Sequence, residues 1–278
     1  MQWNFRTKQR ISQSFLHLVI LLLVVVMLYP LAMSLWSAFK TEAIFQYSKW
    51  YPTLPLFFDN IRSAFTSLSR YMLNTVFVAL AGTAGMLVVA SLAAYSFSKL
   101  EFPGKQGIFM LVIALMMIPG VLTLVPSFML YKQIVGLDNY AILILPQIVG
   151  PVFAVFLLRS FFEGLPTSVF EAARIDGASE GQVYTRVCLP LSMPIMGTLA
   201  IMQISGAWSD YQWPLITLKS EEYYTISLGL MLRYVGETST DYPHITAGFL
   251  VASSPLIFLF IFANKFYVQG LTGSAMKL

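Results

Sequence analysis

The side chains that could do chemistry in this sequence are few, and their spacing removes most chemistries at once. It holds two histidines, His17 and His244, and one cysteine, Cys188, all far apart along the chain. A structural zinc site gathers four ligands, usually from closely spaced pairs, so a metal centre has no basis here. No HExxH motif and no paired His/Asp cluster offers an acid, base or nucleophile in the arrangement that a membrane-embedded hydrolase or transferase requires. No GxxxxGK[ST] phosphate loop occurs either. The one Gly-Lys pair, Gly104-Lys105, runs on into Gln106 and lacks the upstream glycine, so no nucleotide cradle of that kind exists in this chain. What stands out is a polar stretch, EAARIDGASEGQVYTRVCLPLSMP over residues 171–194, set in a chain that is 57% hydrophobic and only 11% charged. Its residues suit contact with another surface better than bond making.

The surrounding elements explain why that stretch is unusual. A soluble domain of this size carries about 25% charged residues. Here Asp, Glu, Lys and Arg are missing from 11–39, 71–98, 106–131, 139–158, 187–209 and 242–264. A helix crosses the hydrocarbon with roughly 20 apolar residues, and these runs lack the alternation of a membrane barrel. Six membrane helices are predicted. The first apolar run, 29 residues after Arg6, Lys8 and Arg10, is too long for a signal h-region and is read as a retained helix, with Trp36, Phe39 and Lys40 as its interfacial anchor. With both termini cytosolic, 10 of the 17 basic residues fall inside and 7 outside, in the sense of the positive-inside rule. The net charge of +4 is scattered rather than clustered, so nucleic acid is not an expected partner.

The external segment after the first helix contains Trp50, Tyr51, Pro52 and Pro55 and is expected to be structured against the membrane surface. Helices three and four carry Pro119, Pro126, Pro146 and Pro151, which free carbonyls and bend the axis. A moving or cavity-lining core and a static kinked bundle both fit those prolines. No tandem repeat, inverted repeat or intramembrane acid–base relay is visible. Nothing resembles a channel filter or a charged sensor helix.

Within the polar stretch, Ser168 and Glu171 have capping-box spacing, and Val169, Phe170 and Ala173 form an apolar face. Gly177 suits the left-handed position that ends a helix. Ser179 and Gln182 repeat the box and start a second helix, with Val183, Val187 and Cys188 on one face before Pro190 and Pro194. Two short helices meeting at a glycine are therefore predicted. On the residues alone, they are either a helix offered to a groove on another protein or an amphipathic connector lying in headgroups. The basic residues that lipid contact favours are limited there to Arg174 and Arg186.

Glu171-Ala172-Ala173, Asp176-Gly177-Ala178 and Leu189-Pro190 resemble the EAA loop of permease subunits of binding-protein-dependent ABC importers. Residues 94–105 and 208–215 and the tail at 270–277 are similar to the MalG-like carbohydrate branch of that family, with Cys188 and Leu278 as departures. The resemblance implies an all-α integral membrane fold with six transmembrane helices, N and C termini cytosolic, and a cytosolic coupling helix between helices 4 and 5. The helices are placed at about 14–39, 71–98, 106–131, 139–159, 190–213 and 244–267 in one transmembrane domain, 1–278. The EAA loop then spans 160–190 and the external loops 40–70, 132–138 and 214–243. It implies two ABC ATPase subunits that carry the ATP and magnesium, a second, MalF-like permease chain, an extracytoplasmic solute-binding protein, and the bilayer of a bacterial or archaeal inner membrane. No cofactor is expected in this chain. Glu171, Ala172, Ala173, Arg174, Ile175, Asp176 and Gly177 become the ATPase-coupling residues, and 270–278 a second contact.

Transport by alternating access follows as the expected activity, with a di- or oligosaccharide as cargo and glycerol phosphate or a related polar solute as the alternative. The external acids Glu221, Glu222, Glu237 and Asp241 suit neutral cargo. Gln147, Gln203, Trp208, Asp210 and Tyr211 are candidates for a substrate path, since amides bond hydroxyls and aromatic faces stack on sugar rings. Helix packing and interface anchoring are the favoured account of the same five residues.

Overall fold

The computed structural model describes the backbone of residues 2–235 and 241–275, and side chains over 13–234 and 241–263. The predicted contacts of Glu237 and of the tail at 270–278 lie outside the described side chains. Among the described residues there is no strand. In order, the helices are α1 Gln2–Ser37, α2 Glu42–Tyr47, α3 Asp59–Lys99, α4 Lys105–Ala114, α5 Gly120–Val135, α6 Ala141–Val149 and α7 Val152–Glu163. They continue as α8 Thr167–Ile175, α9 Glu180–Val183, α10 Leu189–Leu191, α11 Met193–Ser209, α12 Gln212–Thr217, α13 Ile226–Leu230 and α14 Tyr242–Ala275. By contacts the chain divides into two units, 1–68 with 232–253 and 69–231 with 254–278.

Among the described residues, four helical stretches are long and apolar enough to cross a membrane, in α1, α3, α6 continued by α7, and α14, or six if two bent pairs each count as one crossing. The expected six spans are reached when each bent pair is taken as one crossing. Span three is α4 with a short 3-10 turn, then α5, bent by 104° where Pro119 begins α5. Proline lacks the N–H that would continue the ladder, and Pro119 is the cap from which the new direction starts. Span five is likewise bent, by 73°, at Ser192 between Pro190 and Pro194. Span two starts earlier than its charge-free core, because α3 begins at Asp59 and runs 41 residues. Span five ends at Ser209, and the stretch after it, expected to be external, folds into α12 and α13.

In the larger unit α3 is the packing spine. Val78, Ala79, Thr83, Met86, Ala90, Ala94 and Tyr95 are buried on it, mostly at three- and four-residue spacing. Small residues let other helices come close, the usual way membrane helices associate. A Cβ at Gly82 would overlap the side chain of Gln147, and one at Gly85 that of Ile148. Towards the end of α3 the buried residues gather with Leu158 and Phe162 of α7 and Ile195 and Leu199 of α11. On that cluster sits the polar stretch.

Candidate functional site

α8 and α9 form the predicted elbow. Its first helix starts before the expected cap: Pro166 precedes Thr167 and no side chain caps the end, so Ser168 lies inside the first turn and the Ser168–Glu171 box is corrected. The C-terminal end follows the sequence signal closely. Gly177 has φ +82, its N–H donates to Arg174 O at 3.0 Å, and the N–H of Ala178 donates to Ala173 O at 3.0 Å. That pair of bonds closes a helix through a left-handed residue, which any Cβ would strain. Ser179 caps α9, and its N–H donates to Gln182 Oε1 at 2.8 Å, as the second box requires. A widened π-helical turn, Tyr184–Cys188, follows. This turn explains why Val183 and Cys188, five residues apart, share a buried face.

One face of the elbow is fixed. Phe170 is 2% exposed and packs with Val183 and Cys188 against Ala90, Ala94 and Tyr95 of α3. Around it the polar contacts are specific. Tyr95 Oη donates to Glu180 Oε2 at 2.7 Å, and the hydroxyls of Ser91 and Tyr184 lie 2.7 Å apart. Lys99 Nζ sits 4.3 Å from the centre of the Phe170 ring, a cation–π contact. Arg174 Nε donates to Glu180 Oε1 at 2.7 Å, and that carboxylate holds the Arg174 guanidinium above its already high ordinary pKa. Arg174 therefore braces the turn between the two helices.

The other face is open. Glu171, Ala172, Ile175, Asp176 and Gly177 are exposed, Ile175 at 86%, and a Cβ at Gly177 would meet nothing within 4 Å. Ala173 is half-buried on the cluster below. Exposed Val169, Ala172 and Ile175 form an apolar ridge at i, i+3, i+6. Such a ridge, stiffly held and unobstructed, can enter a groove. Residues 177–181, GASEG, also match a hydrolase nucleophile spacing, but Ser179 is a helix cap whose Oγ lies 3.3 Å from Gln182 Oε1, with no strand before it.

The five substrate-path candidates are not brought together. Gln203 Nε2 donates to Gln147 Oε1 at 3.0 Å, and both line a cavity of about 350 Å³ with Met86, Pro146, Gly150 and Leu199. Trp208 is buried beside a separate apolar cavity of about 170 Å³, and its carbonyl accepts from Ser227 Oγ at 2.5 Å. Asp210 Oδ1 accepts from the N–H of Trp213 at 3.3 Å at the start of α12. Tyr211 is 39% exposed next to it. Among the acids predicted to be external, Glu221 bonds the hydroxyl of Tyr71, and Glu222 lies 3.8 Å from Arg70. Sequence reasoning missed Ser91, Tyr95, Lys99 and Glu180 as the fasteners of the elbow. For the first three the signal was a polar run, Ser91, Tyr95 and Lys99, spaced at one helical turn on α3 beside Ala90 and Ala94, whereas Glu180 lies on α9.

Comparison with known proteins gives a consistent picture. A family model described as the inner membrane component of binding-protein-dependent transport systems matches residues 86–271. The arabinooligosaccharides transport system permease protein AraQ of Bacillus subtilis (strain 168) is 34% identical over 223 residues, 79% of either chain. The maltodextrin transport system permease protein MalD of Streptococcus pneumoniae is 27% identical over 99% of both chains. In fold, the chain superposes with TM-score 0.84 on a solved bacterial ABC transporter involved in importing the polysaccharide alginate, at 21% identity over 93% of this chain and 97% of that one.

Proposed function

This chain belongs to the family of inner membrane components of binding-protein-dependent transport systems, and from that premise we propose that it carries a di- or oligosaccharide across the membrane by ATP-driven alternating access. The relatives named for arabinooligosaccharides, maltodextrin and lactose support a saccharide cargo. The chain has no phosphate loop, so the energy enters mechanically from separate ATPase subunits. A second permease chain and an extracytoplasmic binding protein complete the assembly.

One observation carries the reading. Met86, Ala154 and Leu199 belong both to the packed cluster under the elbow and to the wall of the cavity that holds Gln147 and Gln203. A docked ATPase displaces Ala172, Ile175 and Asp176. Phe170 is wedged in the cluster, so the displacement reaches α3, α7 and α11 as movement of a close-packed body rather than as local bending. Those helices line the cavity, and its two arrangements become the inward- and outward-facing states. Differential contact of the ATPase with the elbow in its two states biases the equilibrium. In the cavity the paired amides of Gln147 and Gln203 exchange their mutual bond for sugar hydroxyls.

The test is Gly177→Val in the reconstituted complex. A β-branched residue is strained at φ +82, while the space around it is open, so assembly is retained and the seating of the ridge is lost. ATP hydrolysis should persist and uptake fall by an order of magnitude or more. Assembled Gly177→Val complexes with normal uptake would remove the lever.

A further inference from the structure

The segment that follows α1 carries a pattern that the transport reading does not use. Lys40 is 1% exposed, although a lysine just past a membrane helix ordinarily stretches its ammonium into water. Its Nζ instead donates to the backbone carbonyls of Ser48, at 2.5 Å, and Tyr51, at 2.6 Å. The two carbonyls between them are served by α1 itself. Trp36 Nε1 donates to Lys49 O at 3.4 Å, and Tyr29 Oη donates to Trp50 O at 2.9 Å. Four consecutive carbonyls, 48 to 51, thus each accept a side-chain donor from α1 or its immediate extension. A loop in water leaves that work to solvent. Carbonyls of irregular backbone need such internal donors where water is excluded.

The depth agrees. Tyr29 lies eight residues before the end of α1 at Ser37, about 12 Å down the axis at 1.5 Å per residue, and helical side chains tilt further towards the N-terminus. The apolar stretch of α1, 25 residues from Gln13 to Ser37, exceeds the roughly 20 needed to cross the hydrocarbon. A carbonyl bonded to Tyr29 therefore sits at or below the hydrocarbon boundary. The surface around it matches that level: Tyr47 is 90% exposed, Trp50 64% and Leu54 85%, the aromatic and apolar types that populate membrane interfaces. Behind, the segment is stapled shut. Phe57 N–H donates to Phe39 O at 2.9 Å, and Asn60 Nδ2 to Lys40 O at 2.8 Å.

We propose that residues 48–58 form a re-entrant collar seated in the lipid headgroup–acyl boundary beside the last turns of α1, with Lys40, Trp36 and Tyr29 standing in for water on its carbonyls and Trp50 facing lipid. Lys40 is then an internal donor rather than the free interfacial anchor that its position in the sequence suggests. The inference rests on α1 crossing the bilayer and on nothing in the transport mechanism.

The experiment uses the full chain, assembled and reconstituted in nanodiscs of phosphatidylcholine and phosphatidylglycerol, with Cys188→Ala as background. A nitroxide at Trp50→Cys is compared with one at Lys219→Cys, an exposed loop position, by collision with oxygen and with a water-soluble nickel chelate. The oxygen-to-nickel ratio should be several-fold higher at 50. Lys40→Met should lower it towards the loop value. Tyr29→Phe, which deletes one donor and leaves the fold intact, should lower it by less. A ratio at 50 equal to that at 219 would overturn the proposal. So would shielding from both reagents, which would assign the collar to a protein partner, or a ratio unmoved by either donor substitution.

Discussion

The elbow at 166–191 and the collar at 48–58 are both polar backbone interrupting an apolar chain, and they are held together in opposite ways. In the elbow the backbone groups are satisfied locally, by the Gly177 closure and by Gln182 reaching back three residues to Ser179. In the collar they are satisfied from a distance, by Tyr29 across 21 residues, Trp36 across 13 and Lys40 across 8 or 11. A segment meant to present a face to water can use short-range caps, because solvent covers whatever the caps miss. A segment placed against lipid has no such cover, and neighbouring elements must supply every donor. Local bonds keep the elbow's shape under load. Distant ones fix where the collar lies.

The comparison breaks first at the elbow's packing. Phe170→Ala removes a ring that is 2% exposed, and a buried Phe→Ala change costs about 4 kcal/mol. If the elbow is a rigid body, the thermal unfolding temperature in detergent should fall accordingly, and transporter complexes assembled with the variant should hydrolyse ATP at their ATPase subunits without matching uptake. Loss of stability with unaltered coupling would show that the elbow bends on its own. A smaller effect separates local from distant bonding. Gln182→Ala removes one cap, worth about 1 kcal/mol, and should speed amide exchange only within 179–184. Spread of that change to α3 or α7 would contradict a locally determined elbow.

The smallest effect concerns a third polar site, built like the collar. Asp138, with φ 62, accepts at Oδ1 from the N–H groups of Lys219, at 2.9 Å, and Ser220, at 2.8 Å, and at Oδ2 from Ser220 Oγ at 2.5 Å. These bonds, led by the Ser220 hydroxyl, hold its carboxyl below the ordinary carboxylate pKa. The sign is then fixed: the stabilisation is full above that ordinary value, about 4, and is lost as pH falls through it towards the lower folded value. Amide exchange at Lys219 and Ser220, corrected for intrinsic rate, should accelerate below about pH 4 and become independent of pH in Asp138→Asn. Protection that persists unchanged in acid would mean that the loops are joined by other contacts.

Much of the elbow was legible because its instructions are short. The glycine at 177, the Ser179–Gln182 pair and the apolar positions Phe170, Val183 and Cys188 lie within a few residues of what they determine. Even so, the N-terminus of α8 was misplaced, since Pro166 starts the helix sterically and leaves no side-chain cap for a pattern to find. The spans were legible from missing charge, but the 104° bend was not. Proline marks where a helix can break, while the angle depends on what packs either side of it. The pairing of Gln147 with Gln203, 56 residues apart, and the separation of both from Trp208 and Asp210 left no trace in the sequence pattern.

By itself, then, the sequence determined that this chain has membrane-spanning apolar runs, contains no GxxxxGK[ST] phosphate loop and carries a helix pair joined at a glycine, because hydrophobic run length, motif chemistry and helix caps act over distances the chain order records. Only the tertiary structure decided that Tyr95, Lys99 and Glu180 fasten that pair, that two amides face one cavity, and that Lys40 turns inward. Those outcomes depend on which buried polar groups meet across tens of residues, and a hydrogen bond between distant segments is specified by packing geometry, which no local pattern encodes.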